Sequence, residues 1–494
     1  MFKALKATKD TYVTNRVING TRVVSASVGR AGSLDIFKLY GETYGPDSSP
    51  NIELSRALIQ FDLSDLFNDV ATGLIDVNSD TFFARLQLKD VYGGQPTPEK
   101  FDIIVNPLSA SFVEGRGKDV VTYSDRDVSN FISSSQGVLW NMSGCGLSGG
   151  PTDVCDYITG SYATSQAFTT GEEDLDVNIT AAIKAVISGT IPDNGFRIAY
   201  SSQIENDKRT YFVKRFASRH AYDVTKRPRL VYGYDDSIKD DVNFLAFDTS
   251  NTIFFYSYDH GSPANVISGS SEITGSSCMN LRLSAPISGS ILQFTFLAGQ
   301  HKNHIGIYSS SVVVPLTSSL LPSLNHSGSV TFTPTWESLD GSIVYYTAPP
   351  VKFWRPRRTT SVVTPSRYVV TVNGIENVHR PDEKRIVRVN VFDHTSPYIK
   401  ASKVPVNSPD GMRAVIDDGF YSVRDMLTNE VVIPFDTSKG STRLSTDSDG
   451  SYFVLDMSSL YPERTYVIDI LLTSGAKQQK YLAASPVFKV SNLL

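Results

Sequence analysis

The sequence predicts an all-β protein made of several sandwich domains. Apolar and polar residues alternate in short segments, among them residues 57–63, 83–91 and 101–105, and a period of two is typical of strands with one buried face. The 24 Tyr and 26 Phe residues also favour half-buried strands. At 494 residues the chain is longer than one hydrophobic core supports, so we expect more than one domain.

The first predicted domain spans residues 1–236. The alternation continues there in three further segments, residues 196–200, 210–213 and 229–234. Apolar residues fall at helical spacing in residues 176–189, with Thr180 as a candidate cap, and a shorter helix is expected over residues 127–133. Both helices should pack against the sandwich.

Two polar stretches predict the remaining boundaries. We interpret the acidic residues 235–241 as a solvated linker, and the Pro- and Arg-rich residues 349–358 as a solvated hinge. They delimit a second domain at 243–349 and a third at 359–494, each predicted to be a smaller Ig-like β-sandwich. The predicted strands are residues 252–258, 280–283, 291–297, 330–332, 342–348, 366–372, 385–392, 414–417, 422–425, 452–456 and 466–472. Residues 455–470 are typical of the last hairpin of an Ig-like sandwich.

Charge and composition argue against several classes of protein. The formal net charge is −5 and basic residues are interleaved with acidic ones, so a nucleic-acid partner is not expected. The densest basic stretch holds Lys352, Arg355, Arg357 and Arg358 around Trp354. Binding of single strands or anionic sugar is the alternative to the hinge interpretation there.

The N-terminal residues lack the apolar core of a secretory signal. No segment approaches the roughly 20 apolar residues that span a bilayer. We therefore expect a protein that is made in the host cytoplasm without a signal peptide and does not enter a membrane.

Three cysteines are too few and too scattered for a disulfide framework or a four-ligand zinc site. Only Cys145 and Cys155 lie close together in the sequence, and either free thiols or a loop disulfide fit that spacing.

The sequence offers few groups for catalysis. The Gly-rich residues 144–149 are followed by Gly-Pro where a phosphate-binding helix would have to begin. His301 and His304 form at most half a metal site. The calcium-loop start at Asp447 and Asp449 lacks a Glu at the twelfth position, so a hairpin turn is favoured. We predict no enzymatic activity, no cofactor and no metal.

The N-terminal region resembles the DNRLRE, or disaggregatase-related, β-sandwich domains. Residues 9–13 (Lys-Asp-Thr-Tyr-Val) and 56–63 are similar to the family's opening strands, and residues 216–219 and 227–230 to its closing Phe-x-Ser-Arg-Glu and Arg-Pro-Arg-Leu signature. His220 stands where the family has Glu, and the long insertion that carries Cys145 and Cys155 is not typical of the family. The resemblance covers about residues 8–234 and implies a non-catalytic sandwich, some of whose relatives bind polysaccharide.

The whole chain also looks like a poorly characterised protein of tailed phages, through residues 32–41, 89–98 and 211–219. That resemblance implies a structural role in the virion. It does not imply a location in the particle.

The signature contains charged residues that suit a structural network. Arg guanidinium groups pair well with carboxylates, so Arg219, Arg227 and Arg229 could form an intradomain network with Asp10 or Asp62. A carbohydrate contact by the same residues is the alternative.

Together these patterns favour a non-enzymatic virion component that joins or decorates the tail, baseplate, neck or capsid surface. Its partners would be other virion proteins in a symmetric, multi-copy assembly. The alternative is a protein that binds host-surface glycan, in which exposed Trp140, Tyr157 or Tyr162 stack on sugar rings near the Cys145 loop.

Overall fold

The computed structural model describes residues 1–44, 50–91, 98–146, 155–243, 245–287, 289–355, 368–393, 418–474 and 477–492. These residues form two compact units. The N-terminal unit contains Phe2–Phe67 and Val77–Tyr234, and the C-terminal unit contains Asp235–Leu494 with Met1 and Asn68–Asp76. Strands dominate both units, so the predicted all-β class is confirmed.

The N-terminal region contains fourteen described strands and three α-helices. The strands are β1 (Phe2–Thr14), β2 (Val17–Ile18), β3 (Thr21–Arg22), β4 (Ser33–Tyr44), β5 (Pro50–Phe61), β6 (Phe83–Leu88), β7 (Phe101–Pro107), β8 (Ser133–Ser135), β9 (Val138–Leu139), β10 (Thr164–Phe168), β11 (Leu175–Asn178), β12 (Phe196–Tyr200), β13 (Tyr211–Ala217) and β14 (Arg229–Gly233). The helices are α1 (Ser64–Ala71), α2 (Thr180–Ile187) and α3 (Ser202–Asn206), with 3₁₀ turns at Gly160–Tyr162 and Val224–Lys226.

Strand β1 belongs to both layers of the N-terminal sandwich. Its first half pairs with β14, in a sheet that continues to β6 and β11. Its second half pairs with β5, in a sheet that continues to β12, β7 and β10, while β4 joins β5 and β13 joins β4. At the two ends of the strand order, where β10 and β11 are the outermost strands, the Gln166 amide donates to Asp174 O at 2.7 Å and accepts from Asp176 N at 2.8 Å. A side chain therefore links the edges of β10 and β11.

The two predicted helices differ from the structure. Helix α2 begins at Thr180 rather than at residue 176, because Leu175 and Val177 are buried on strand β11, and Ile179 occupies the N-cap. Residues 127–133 form turns and the start of β8 instead of a helix. There the Asn130 side chain bonds to backbone groups from Asp125 to Ser133, and such local bonds compete with helix formation.

The first sandwich of the C-terminal unit contains eleven described strands. Its strands are β15 (Asn251–Tyr256), β16 (Tyr258–Asp259), β17 (Ser262–Pro263), β18 (Ile267–Ser268), β19 (Ser271–Glu272), β20 (Met279–Ile287), β21 (Ser290–Gln300), β22 (Ile307–Val312), β23 (Ser329–Glu337), β24 (Val344–Thr347) and β25 (Val351–Trp354), with helix α4 (Leu321–Ser327) and a 3₁₀ turn at His301–Asn303. The main sheet has the order β15-β22-β21-β20-β23-β24, and β25 also pairs with β23. Trp336, Phe332 and Phe353 lie in its core.

The predicted hinge at 349–358 is wrong for its central part. Residues Val351–Trp354 form β25, and Val351 and Phe353 are buried in the core while Lys352 and Trp354 are exposed. This alternation is that of a strand with one buried face. Arg357 and Arg358 lie outside the described residues.

The last sandwich contains β26 (Tyr368–Asn373), β27 (Val378–His379), β28 (Lys384–Asp393), β29 (Asp418–Asp425), β30 (Val431–Ile433), β31 (Ser445–Asp447), β32 (Gly450–Asp456), β33 (Arg464–Ser474), β34 (Lys477–Tyr481) and β35 (Phe488–Val490), with a 3₁₀ turn at Met457–Ser459. One sheet has the order β26-β28-β32-β31 and the other β27-β35-β33-β29-β30, with β34 on β33. These orders correspond to the two sheets of an immunoglobulin sandwich. The predicted strand at 414–417 lies outside the described residues.

A buried tyrosine supports the Ig-like interpretation of residues 455–470. The Tyr466 hydroxyl accepts the backbone N–H of Tyr461 at 2.9 Å and donates to the carbonyl of the same residue at 2.8 Å. A tyrosine at the start of a strand that bonds to backbone a few residues upstream is the tyrosine corner of Ig-like domains.

We predict that Tyr466→Phe lowers the free energy of unfolding of the last sandwich by about 1–2 kcal/mol, because it leaves a buried donor and acceptor unpaired. Chemical unfolding followed by hydrogen exchange of β33 peptides measures the change. The matched control is Tyr481→Phe, whose hydroxyl bonds to the Gln479 side chain. Equal stabilities of the two variants would contradict the role of the corner.

Candidate functional site

Two of the predicted signature residues, Asp10 and Arg219, form a hydrogen-bonded cluster with Glu114. The buried Asp10 carboxylate accepts the backbone N–H of Arg219 at 2.5 Å. The Arg219 guanidinium does not bond to Asp10 but forks onto Glu114, with Nη2 donating to Oε2 at 2.6 Å. Glu114 in turn accepts the backbone N–H of Asp10 at 2.9 Å. No sequence pattern marked Glu114, because it lies between β7 and β8, outside any alternating segment.

The other three predicted residues have separate surroundings. Asp62 is exposed and accepts the N–H and the hydroxyl of Ser64, which lower its pKa. Arg227 donates to Ala221 O at 3.0 Å, and its charge acts on Asp10. Arg229 donates to the Gln87 side chain at 2.8 Å on the neighbouring strand. The cluster therefore includes Asp10 and Arg219, with Arg227 near it, and does not include Asp62.

Burial and charge in the cluster shift the pKa values of Asp10 and His220. Burial raises the pKa of Asp10 to about 7; the Arg219 N–H opposes this shift, and the charge of Glu114 adds to it. His220, which stands in place of the signature Glu, has its Nε2 3.7 Å from Glu114 Oε1. Burial, followed by the charge of Arg219, lowers the pKa of His220. Both groups are therefore held toward their uncharged forms.

Two buried lysines tie loops to the adjacent strands β4 and β13. Lys38 Nζ donates to Asp207 O, Asp207 Oδ1 and Arg209 O, each at 2.5 Å. Lys214 Nζ donates to Asp90 Oδ1 at 2.5 Å, Gly171 O at 2.7 Å and Glu173 O at 2.9 Å. An ammonium group has three donors, so these oxygens accept all three N–H donors of each lysine.

The Gly-rich loop covers a buried pair of arginines. Glu205 pairs with Arg56 at 2.7 Å and with Arg197 at 3.4 Å. The carbonyls of Gly144 and Cys145 each accept from one of these guanidinium groups at 2.8 Å. A Cβ atom at Gly144 would lie 2.3 Å from the Phe131 ring, so the loop requires glycine for close packing. Residues 147–154 lie outside the described residues.

Two of the three aromatic side chains proposed to stack on sugar are buried. Trp140 and Tyr157 are only 5% and 8% exposed, respectively. Trp140 Nε1 donates to Asn130 O at 2.8 Å, and the Arg197 guanidinium lies 4.4 Å from the Tyr157 ring centre. Only Tyr162 is partly exposed. The prediction of an exposed stacking surface is therefore wrong for Trp140 and Tyr157, because both lie in a buried cluster with Val13, Leu58 and Phe112.

The cysteines are free thiols in the structure. Cys145 is buried, and burial raises its pKa to about 12. A thiol that stays protonated is a poor nucleophile and a poor metal ligand.

The candidate cation sites are occupied by the protein's own groups. Arg388 Nη1 donates to both carboxylate oxygens of Asp447, at 2.6 and 2.8 Å, and Asp447 pairs with Gly450 in a hairpin. The His301 ring packs against Phe254 with centroids 4.8 Å apart, and burial lowers its pKa to about 4. Within the described ranges, no three His, Cys, Asp or Glu side chains are grouped so that they could hold a metal ion.

Residues 235–243, which we name the strap segment, are not a solvated linker. On one side the segment adds to β31 of the last sandwich: Thr446 N donates to Ile238 O at 2.7 Å, and Asp240 N donates to Thr446 O at 3.3 Å. Arg443 pairs with Asp235 at 3.0 Å, and Lys239 pairs with Asp418 at 2.7 Å.

The strap segment also bonds to the sandwich that follows it. Asp241 N donates to Thr252 O at 2.9 Å, and Thr252 N donates to the Asp241 carboxylate at 2.7 Å. Lys302 Nζ donates to Asp235 O at 3.1 Å, from a residue in the left-handed backbone region with φ of 47°. Through Asp235 and Asp241, the segment is therefore bonded to both sandwiches of the C-terminal unit.

No protein-family model matches the sequence, and no curated protein is similar enough to count as a match. Among solved structures, an amphioxus IgVJ-C2 molecule is 6% identical, with a TM-score of 0.12, over 50% of this chain and 98% of its own. The chicken CNTN1 FN1-FN3 domains are 8% identical, with a TM-score of 0.16, over 60% of this chain and 82% of their own. These values are too low to imply a shared function.

In the part of the chain that the structure describes, no helix is both long enough and apolar enough to span a bilayer.

We predict that Asp10 makes a contribution to the stability of the N-terminal sandwich that falls as the pH rises from about 4 to about 7, whereas the lowered pKa of His220 acts in the opposite direction. The pKa of Asp10 is raised in the folded state, so its proton stabilises the fold at low pH and is lost as the pH passes through the folded pKa of about 7. The expected loss is on the order of 3 kcal/mol.

Chemical unfolding across this pH range measures the effect. Asp10→Asn should remove the Asp10 contribution, so that the difference in stability between the parent and the variant changes with pH by this amount, since the amide resembles the protonated acid. Asp62→Asn is the matched control and should leave the dependence in place. A pH dependence that persists unchanged in the Asp10 variant would contradict the assignment.

Proposed function

We propose that this chain is a non-enzymatic structural component of a tailed-phage virion, an adaptor or decoration protein of the tail, baseplate, neck or capsid surface. The main observation in support is the strap segment. A chain whose acidic connection is bonded to both sandwiches of the C-terminal unit suits a component that holds its neighbours in fixed positions.

The bonding partners of the charged residues support the same proposal. The groups that could have formed a reaction centre bond to the protein's own backbone or to each other, as in the Asp10–Glu114–Arg219 cluster and the Arg56–Glu205–Arg197 group. Carboxylates and guanidinium groups that are fully engaged in this way stabilise loops rather than bind a substrate.

The proposed partners are other virion proteins, and the proposed assembly is symmetric and multi-copy, because most stable assemblies close with point-group symmetry. Binding of polysaccharide has less support, since Trp140 and Tyr157 are buried. The proposed location is the virion itself.

Mass spectrometry and immunogold labelling of purified, salt-washed particles of the source phage test the proposal. We expect the chain to be present in a fixed stoichiometry and to label one place on the particle. As a control, particles from a phage with the gene interrupted should not label.

Two outcomes would contradict the proposal. One is absence of the chain from intact particles that are otherwise complete. The other is removal of the chain by the salt wash together with binding to a glycan array, which would favour the glycan-binding alternative.

A further inference from the structure

Asp240 has an unusual position in the strap segment. Its backbone N–H donates to Thr446 O at 3.3 Å and its carbonyl accepts from the Thr446 hydroxyl at 3.2 Å, so the residue lies in the seam with β31. Its carboxylate accepts the backbone N–H of Val242 at 3.1 Å. The backbone N–H of Phe254 on β15 also bonds to this carboxylate. The half-buried side chain therefore lies where the strap segment meets both sandwiches of the C-terminal unit.

The groups that face Asp240 are mostly acidic or neutral. Asp241 adjoins it on the strap segment, and Asp447 faces it from β31. Tyr256 on β15 is electrostatically coupled to Asp240, Asp447, Tyr452 and Tyr258. The nearby cations are already paired: Arg388 of β28 bonds to Asp447, with Asp449 3.8 Å away, and Lys239 bonds to Asp418.

These surroundings disfavour a charged carboxylate. Burial, followed by the charges of Asp241 and Asp447, raises the pKa of Asp240 to about 7, against the opposing N–H of Val242. If the strap segment detached, the carboxyl group would enter water and ionise with an ordinary pKa of about 3.9. Closure of the seam is therefore linked to the uptake of a proton.

We propose that the strap segment is a pH-sensitive latch, which stays closed on β31 while Asp240 is protonated and opens more readily once Asp240 is ionised. This inference does not depend on the virion role, since it concerns a contact within one chain.

The linkage fixes the direction of the effect. Because the proton is bound more tightly in the closed form, the equilibrium constant for opening rises by up to about tenfold per pH unit between about pH 4 and about pH 7 and then levels off. The Arg443–Asp235 pair does not oppose this trend at pH 5 and above, because hydrogen bonds from Ser237 and the charges of Lys302 and Arg443 outweigh burial and hold the pKa of Asp235 below its usual value.

Hydrogen exchange on the full chain measures the opening directly. The protection factors of the Asp240 and Thr446 amides, which remove the intrinsic effect of pH on exchange, are compared at about pH 5, 6, 7 and 8. We expect protection to fall by up to about a hundredfold between pH 5 and pH 7 and to change little above that. The Ile468 amide, which donates to Ser485 Oγ within the last sandwich, is the internal reference.

Variants separate Asp240 from other acidic groups. Asp240→Asn should remove the larger part of the pH dependence, since the amide carries no proton to lose, and any dependence that remains belongs to Asp241, whose pKa burial also raises. Asp382→Asn is the matched control: Asp382 is 69% exposed and pairs with Arg380 at 3.0 Å, and this variant should keep the wild-type pH dependence. Equal protection at all pH values in the wild type, or an unchanged dependence in Asp240→Asn, would overturn the proposal.

A second measurement on the wild-type chain decides the matter if Asp240→Asn does not fold. The carboxyl ¹³C signal of Asp240 is titrated by NMR. A midpoint near 7 supports the latch, and a midpoint near 4 overturns it.

Discussion

A buried charge requires a bonding partner, and in this protein that requirement determines the conformation of several loops. An ion removed from water is strongly destabilising unless its donors and acceptors are satisfied. Lys38 meets the requirement with three oxygens of residues 207–209, and Lys214 meets it with oxygens of Asp90 and of the loop at residues 171–173. Arg56 and Arg197 meet it with Glu205 and two loop carbonyls. Each long side chain projects from a regular strand, so the rigid sheet determines where the irregular backbone lies.

The same constraint relates structure to the proposed function. Charged side chains that are saturated by internal backbone groups cannot also bind a substrate, whereas they can keep long connections in one conformation. The strap segment extends this use of charge to a connection between sandwiches, through Asp235 with Arg443 and Lys239 with Asp418. In Asp240 the segment also holds a carboxyl group whose pKa is raised by burial and by the neighbouring Asp241 and Asp447 carboxylates, which makes the contact sensitive to proton concentration.

The sequence predicted the strands well, because alternation reports directly which face is buried, and it predicted the Ig-like hairpin at 455–470. It failed where long-range contacts override local pattern. Residues 175–178 form a strand because they pair with β6, and Val351–Trp354 form one because β23 lies beside them, despite the flanking prolines. Glu114 and the burial of Trp140 could not be predicted, since both depend on how a long insertion folds back onto the sheet.

A double-mutant cycle at Arg56 and Glu205 tests most directly whether buried charge holds the Gly-rich loop. The account predicts that Arg56→Met and Glu205→Gln each lower the free energy of unfolding by about 3 kcal/mol, that the double variant is scarcely worse than either, and that the Gly146 amide loses protection from exchange in all three. Single variants that stay within about 0.5 kcal/mol of the parent, with an unchanged Gly146 amide, would contradict it.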